Sequence, residues 1–194
     1  MITDNLRQIL YNYFLGGYLT RNRTPTITLT DINGVKQYLA YDDSNYDTTG
    51  KYASYRLANF IINISGASGD PSSDTGSNSY GNIFMQLGSA EHPIETINDL
   101  DLENKITSGL KYVTSGMGYS NKGVIYTTTF GNESDSILPV TEIGLYLRIS
   151  EKTSSPLAST MVKGIFLLNR EILDTPVTLA PGQSAVFSIE LNYY

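Results

Sequence analysis

The sequence contains no cysteine, no tryptophan and a single histidine, His92. Without cysteine there is no disulfide framework, no thiolate metal site and no cysteine nucleophile. With one histidine, imidazole ligation of a metal falls back on carboxylate partners alone. A Ser-His-Asp triad has to use His92, and no Gly-x-Ser-x-Gly elbow supports it. Charge is scarce as well, at 16% of 194 residues, with 13 Lys and Arg against 19 Asp and Glu. No basic cluster exceeds Arg21-Asn22-Arg23, so the electrostatic footprint of nucleic-acid binding is missing. No run approaches the roughly 20 apolar residues of a membrane-spanning helix. The opening Met1–Arg7 lacks the basic and then apolar regions of a secretory signal. Neither a Gly-x-Gly-x-x-Gly turn nor a Gly-Lys-Ser/Thr loop is present, so nucleotide binding has no support. No cofactor, metal, membrane or nucleic-acid partner is expected.

What fills the sequence instead is Ser, Thr, Asn and Gly, together with 15 tyrosines. Thr and Tyr suit a half-buried pleated surface, and Tyr supplies contact area with a polar tip at protein interfaces. At the N-terminus Ile2, Leu6, Ile9, Leu10, Tyr13 and Phe14 recur at helical spacing. Thr3 or Asp4 caps the start and Gly16-Gly17 ends the run, which predicts a helix over 3–15. Its apolar stripe has two readings: it covers one face or end of a sheet, or it docks on a neighbouring subunit. The alternating runs from about 25 to 41, joined by Asn33-Gly34, predict a hairpin with a two-residue type I′ turn. A polar loop over 42–51 and a strand over 55–64 follow. The Ser/Gly/Asp/Asn stretch 65–82 has too little apolar surface to order itself and reads as a flexible loop. Further strands are expected over 83–87, 112–115 and 123–130, the last two flanking a turn at 116–122. Three strong runs close the chain, over 140–149, 163–170 and 184–194, with Ala180-Pro181-Gly182-Gln183 as the final turn. Strands succeeding one another without intervening helices predict one mainly β domain, an antiparallel β-sandwich of jelly-roll or immunoglobulin-like type, with a short N-terminal α-helix.

Candidate chemistry is thin. Asp99, Asp101 and Glu103 form a carboxylate cluster, and two acids across a cleft serve glycoside hydrolysis. These three flank Leu100 and Leu102, however, and read better as loop acids over tucked leucines. Asp70 and Asp74 lack the alternating ligands and terminal Glu of a calcium loop. Sequons at Asn22, Asn63 and Asn132 read as chance matches in an Asn/Ser/Thr-rich chain. Two charges stand apart. Glu142 and Arg170 each lie within or beside an apolar strand, where an unpaired charge is costly, so they are expected to pair with each other or with buried backbone groups. Gly144, Asn33 and Gly34 are expected to be structural.

The order of segments carries a resemblance. Phe84-Met85-Gln86-Leu87-Gly88-Ser89 is followed by a loop ending in Leu100-Asp101-Leu102-Glu103-Asn104. Then come a Tyr126-Thr127-Thr128-Thr129-Phe130 strand, Thr141-Glu142-Ile143-Gly144-Leu145-Tyr146, Leu167-Leu168-Asn169-Arg170, and Ala180-Pro181-Gly182-Gln183 leading to Ile189. With the N-terminal helix, this resembles a group of small structural proteins of tailed bacteriophages. In these a strand ending in a Gly turn, a loop ending in Leu, a Thr-Glu-x-Gly-Leu strand and a terminal hairpin recur together. The chain departs from the pattern where Gly88-Ser89-Ala90 replaces a longer Gly/Thr turn. The similarity spans about 83–194, and the hairpin and the Ser/Gly loop are particular to this chain.

What the resemblance implies is a non-enzymatic virion component, assembled in the host cytoplasm, whose partners are copies of itself and other virion proteins. The leading expectation is a neck or tail subunit in a ring or tube. Alternatives are a capsid decoration or fibre-anchoring subunit, or a module binding host glycans through Tyr41, Tyr46, Tyr52 or Tyr55. The helix, the hairpin and the 65–82 loop are the candidate contact arms.

Overall fold

The computed structural model describes residues 1–16, 26–40, 81–152 and 160–192. One helix, α1 (Asp4–Gly16), precedes the strands β1 (Thr26–Thr30), β2 (Lys36–Ala40), β3 (Gly81–Gly88) and β4 (Leu110–Tyr119). They continue as β5 (Gly123–Asn132), β6 (Leu138–Lys152), β7 (Thr160–Leu179) and β8 (Ser184–Asn192). β1 and β2 form a hairpin, while two three-stranded antiparallel sheets have the orders β3-β6-β7 and β4-β5-β8. The protein is thus mainly β, an antiparallel sandwich with one short N-terminal helix. The expected strand over 55–64, the loops over 42–51 and 65–80, Asn22, Asn63, Asp70, Asp74 and the four candidate glycan-stacking tyrosines lie outside the described residues.

Alternation at every second residue decides which side chains meet between the sheets. Ile83, Met85 and Leu87 of β3, Ile143, Leu145 and Leu147 of β6, and Phe166 and Leu168 of β7 share one buried cluster with Tyr126, Phe130, Phe187 and Ile189 of the second sheet. Burial of each large apolar side chain contributes about 1.5–3 kcal/mol. The Phe130 ring stands edge-on to Tyr112 and to Phe187, both at 6.1 Å between centroids. The Tyr126 hydroxyl crosses between sheets to donate to the Ile83 carbonyl at 3.0 Å, and burial pushes this phenol up to about 12.

The chain changes sheets between β5 and β6 and again between β7 and β8, and Asn132 fastens both crossings. Its Nδ2 donates to Ser136 O at 2.7 Å and Leu179 O at 2.8 Å, while its Oδ1 accepts from Ser134 N at 2.9 Å. Its backbone pairs with the Ala180–Gln183 turn through Gly182 N and Gln183 O, each at 2.8 Å. Asn132 is 1% exposed. An amide buried and bonded in this way has no room for a glycan, so the sequon at Asn132 is structural.

Two strands differ from the sequence expectation. β7 runs past the expected end at Arg170 to Leu179, through Asp174-Thr175-Pro176. Between the pairs Glu142↔Ile172 and Val140↔Val177 the ladder is interrupted, and Pro176 falls in that interruption, where its missing N–H costs no pairing. β4 extends to Tyr119, so Gly116 and Gly118 are strand residues paired with Thr127 and Ile125. The turn shrinks to Ser120-Asn121-Lys122, with the Ser120 hydroxyl accepting from Lys122 N and Gly123 N, each at 3.0 Å.

The helix and hairpin pack on the free edge of β7. Thr3 occupies the N-cap position, its carbonyl accepting from Arg7 N at 3.2 Å. Its hydroxyl instead donates to Leu167 O at 2.7 Å. Asn5 pairs reciprocally with the Thr30 backbone, Nδ2 to Thr30 O at 2.7 Å and Thr30 N to Oδ1 at 2.8 Å. Of the apolar stripe, Leu6 and Ile9 are buried in the core of this same chain, with Ile2 and Leu10 packed against it. Leu6 and Ile9 are thus engaged within the chain, while Ile2 and Leu10 are half-buried at its margin. Tyr13 and Phe14 belong to α1, and their side chains lie outside the described part.

The hairpin turn is wider than the Asn-Gly pair suggests. Gly34 N donates to Asp31 O at 2.9 Å, Asp31 N to Val35 O at 3.0 Å, and Gly34 has φ +76°. This is a three-residue loop, Ile32-Asn33-Gly34, with Gly in the left-handed position. The physical reason is Asp31, whose Oδ1 accepts from both Asn33 N and Val35 N at 2.9 Å and closes the longer loop. The tip lies against β7, Ile32 N donating to Ile165 O at 3.0 Å.

Candidate functional site

The outer face of the β3-β6-β7 sheet carries the most unusual chemistry of the described chain. Residues Ile165 and Leu167 of β7 point to this face, and Phe166 and Leu168 to the inter-sheet core. Strict alternation then sends Arg170 into the core. A bulge prevents this: Tyr146 pairs with Leu167 but Leu145 with Asn169, so Leu168 is an extra residue. The side-chain phase flips, and Arg170 comes out beside Glu142, Gly144 and Tyr146 on the outer face.

Arg170 is 1% exposed and Glu142 is 0% exposed. All five guanidinium N–H groups are used. Nε and Nη2 donate to Glu142 Oε2 at 2.9 and 2.6 Å, and Nη2 also donates to Glu103 Oε1 at 3.0 Å. Nη1 donates to Asp99 Oδ2 at 2.8 Å and to the Ile94 carbonyl at 3.0 Å. The carboxylates are braced in turn. Glu142 Oε1 accepts from Asn104 N at 3.1 Å, Glu103 Oε1 from Ile94 N at 2.9 Å, and Asp99 from the Thr96 N–H and hydroxyl at 2.9 and 2.6 Å. One guanidinium from β7 thus gathers a carboxylate from β6 and two from the loop 89–107, 71 and 67 residues away in sequence.

The electrostatics follow. For Arg170 burial disfavours the charge, but hydrogen bonds to Asp99, Glu103 and Glu142 outweigh it and hold the guanidinium above its ordinary value. Burial likewise opposes ionisation of Asp99, and the Thr96 and Arg170 hydrogen bonds overcome it, leaving the carboxyl below its ordinary 3.8. Glu103 is held below its ordinary 4.5 by the Ile94 N–H and then by Arg170.

Beside this cluster Leu102 of the loop covers Phe84, Tyr146 and Leu167, with Ile32 and Ile165 at the margin. The Phe84 and Tyr146 rings stack at 5.4 Å and 14°. The Tyr146 hydroxyl donates to Asp101 Oδ1 at 2.5 Å and accepts from Leu102 N at 3.1 Å. Burial first, and Asp101 second, raise this phenol above its ordinary value. Lys105 closes the group, 2.7 Å from Asp101 Oδ2 and 5.1 Å above the Tyr146 ring. Two glycines make the floor. A Cβ at Gly144 would lie 2.6 Å from Tyr146 Cε2, and one at Gly88 would lie 2.6 Å from Glu142 Cγ.

No protein-family model, curated protein or solved structure matches the chain.

Chemically the arrangement is a fastening. The sequence-predicted pair Glu142–Arg170 is brought together with Gly144 beneath it, whereas Asn33 and Gly34 sit apart at the hairpin tip. Asp99 and Glu103 are bound to Arg170, and Asp101 to the Tyr146 hydroxyl and Lys105. His92 is exposed on the loop, and among the described residues no group of three His, Cys, Asp or Glu is placed to hold a metal. Sequence reasoning missed Tyr146, Asn5 and Asn132. Tyr146 had one available signal, its place two residues after Gly144 on the same face of a strand.

Proposed function

We propose that this chain is a non-enzymatic structural component of a tailed-phage virion, a neck or tail subunit making repeated contacts with copies of itself and with other virion proteins. The support is the order of segments described above, together with one observation about the residues that carry it. Gly88, Leu102, Glu142, Gly144, Tyr146 and Arg170 come from four separate motifs and meet in one buried cluster. Polar groups spent on each other in this way maintain a fold and leave nothing to act on a substrate. On this reading the motif set maintains the scaffold of a repeated subunit, and partner recognition lies on the surfaces around it.

The test is the protein composition of purified virions encoded with this chain. The reading predicts the chain in intact particles at several copies per particle, retained after density-gradient purification. Its absence from such particles removes the proposal. A glycan array in which the purified chain binds a defined sugar would favour the host-surface alternative.

A further inference from the structure

The loop 89–107 is held in two different ways along its length. Its two ends are joined to each other and to β3 and β6 by neutral bonds: Ser89 N to Asn104 O at 2.8 Å, Ile106 N to Leu87 O of β3 at 2.9 Å, and the Thr141 hydroxyl of β6 to Ala90 O at 2.8 Å. The span between, residues 91–103, buries one large apolar side chain, Leu102, while Ile94 and Ile97 remain 72% and 40% exposed. Most of what holds this span to the sheet is ionic. Arg170 holds Ile94 O, Asp99 and Glu103, and Asp101 holds Tyr146 and Lys105. Further ties are Asp4 N of α1 to Ile97 O at 3.0 Å, Leu102 N to the Tyr146 hydroxyl at 3.1 Å, Glu103 N to Glu142 Oε2 at 3.4 Å, and the Met1 ammonium to Glu95. By contrast the inter-sheet cluster consists of aliphatic and aromatic side chains and has no carboxylate to take up a proton.

We propose that residues 91–103 form an acid-released strap. As Asp99 and Glu103 take up protons, the strap lifts on its 88–90 and 104–106 ends and uncovers Phe84, Tyr146 and Leu167, while the sandwich stays folded. The groups facing the two carboxylates are Arg170 from β7, Glu142 from β6, and Thr96 and the Ile94 N–H from the strap itself. Glu91, His92, Glu95, Asp101 and Lys105 are the other ionisable groups on or next to the strap; the Met1 ammonium pairs with Glu95, and Asp4 adjoins the strap from α1. Both carboxylates are held below their ordinary values; the Thr96 and Ile94 N–H bonds lie within the strap, and the Arg170 bonds are the share that exists only in the closed state. Closure is therefore fully supported above the ordinary carboxylate range and lost as pH falls through the lowered values. Glu142 and Arg170 lie on adjacent strands, so their contact does not depend on the strap. The face that opening uncovers is the one packed beneath Leu102, with Ile32 and Ile165 at its margin.

Hydrogen exchange of the isolated full-length chain, corrected for the intrinsic pH dependence of exchange, tests this independently of any particle. From pH 7 to pH 3, peptides from 91–103 are expected to lose protection by about tenfold or more, while β5 and β8 peptides keep theirs. The double variant D99N/E103Q is expected to show the open pattern already at pH 7, with an unchanged far-UV circular dichroism spectrum. Loss of protection in the strap and in β5 and β8 at the same pH overturns the proposal, as does a strap that stays protected at pH 3. If the variant fails to fold, the wild-type titration decides alone.

Discussion

At Arg170 a buried cation meets three carboxylates, and its removal leaves Glu142 charged and fully enclosed. Arg170→Met is therefore expected to cost about 3–5 kcal/mol, since breaking a buried pair from one side strands the other charge. Glu142→Gln is milder, about 1–3 kcal/mol, because Arg170 keeps Asp99 and Glu103, and the amide oxygen still accepts from Asn104 N. In urea unfolding the double variant should lose less than the sum of the two; additive losses, or a harmless R170M, contradict the cluster as described. Gly144→Ala places a methyl 2.6 Å from the Tyr146 ring and is expected to cost about 1–3 kcal/mol by overpacking. The pairing of Glu142 with Arg170 was legible because two charges in apolar strands demand partners. Asp99 and Glu103 were not, since nothing local distinguishes a loop acid in water from one bound to an arginine 67 or 71 residues away. The bulge at Leu168 was equally hidden: strict alternation sends Arg170 to the wrong face.

Elements were easier to read than their joints. The apolar stripe of α1, the alternating hairpin and the three closing runs each carry their own period, and each appears as expected within a few residues except the 163–170 run, which continues as β7 to Leu179. The joints depend on side chains that tie backbone from distant segments. Asp31 turns an Asn-Gly pair into a three-residue loop, and Pro176 interrupts a strand instead of ending it. Asn132 read only as a sequon, although it holds two sheet crossings. Replacing it by Ala leaves the Leu179 and Ser136 carbonyls without the amide, so N132A is expected to cost about 1–3 kcal/mol. It should also raise amide exchange at Gly182 relative to the centre of β5; an unchanged Gly182 would show that the turn does not rely on Asn132. Among the described residues the strap is the one long connection without regular structure, and its ionic fastening explains how it stays in place with a single buried leucine.

For the molecule as a whole, two layers of three strands enclose one apolar core, and a second, smaller core lies under the strap. The helix and hairpin cover the edge of β7, which blunts one row of backbone groups otherwise open to another strand. Acid should act on the two cores unequally. Above the ordinary carboxylate range both are closed, and below it only the inter-sheet core keeps its packing. The fold class was legible because turn signals recur between strands with no helices among them. The proposed function rests on segment order, and Glu103 and Glu142 from two of those segments converge on Arg170. The most direct measurement is a three-dimensional reconstruction of virions purified from cells in which this chain is encoded. The account predicts density fitting the two-sheet sandwich, repeated around the symmetry axis of the neck or tail with strap or hairpin surfaces at the subunit contacts. Particles complete in every part, with the chain present in the lysate and no such density in the virion, would contradict it.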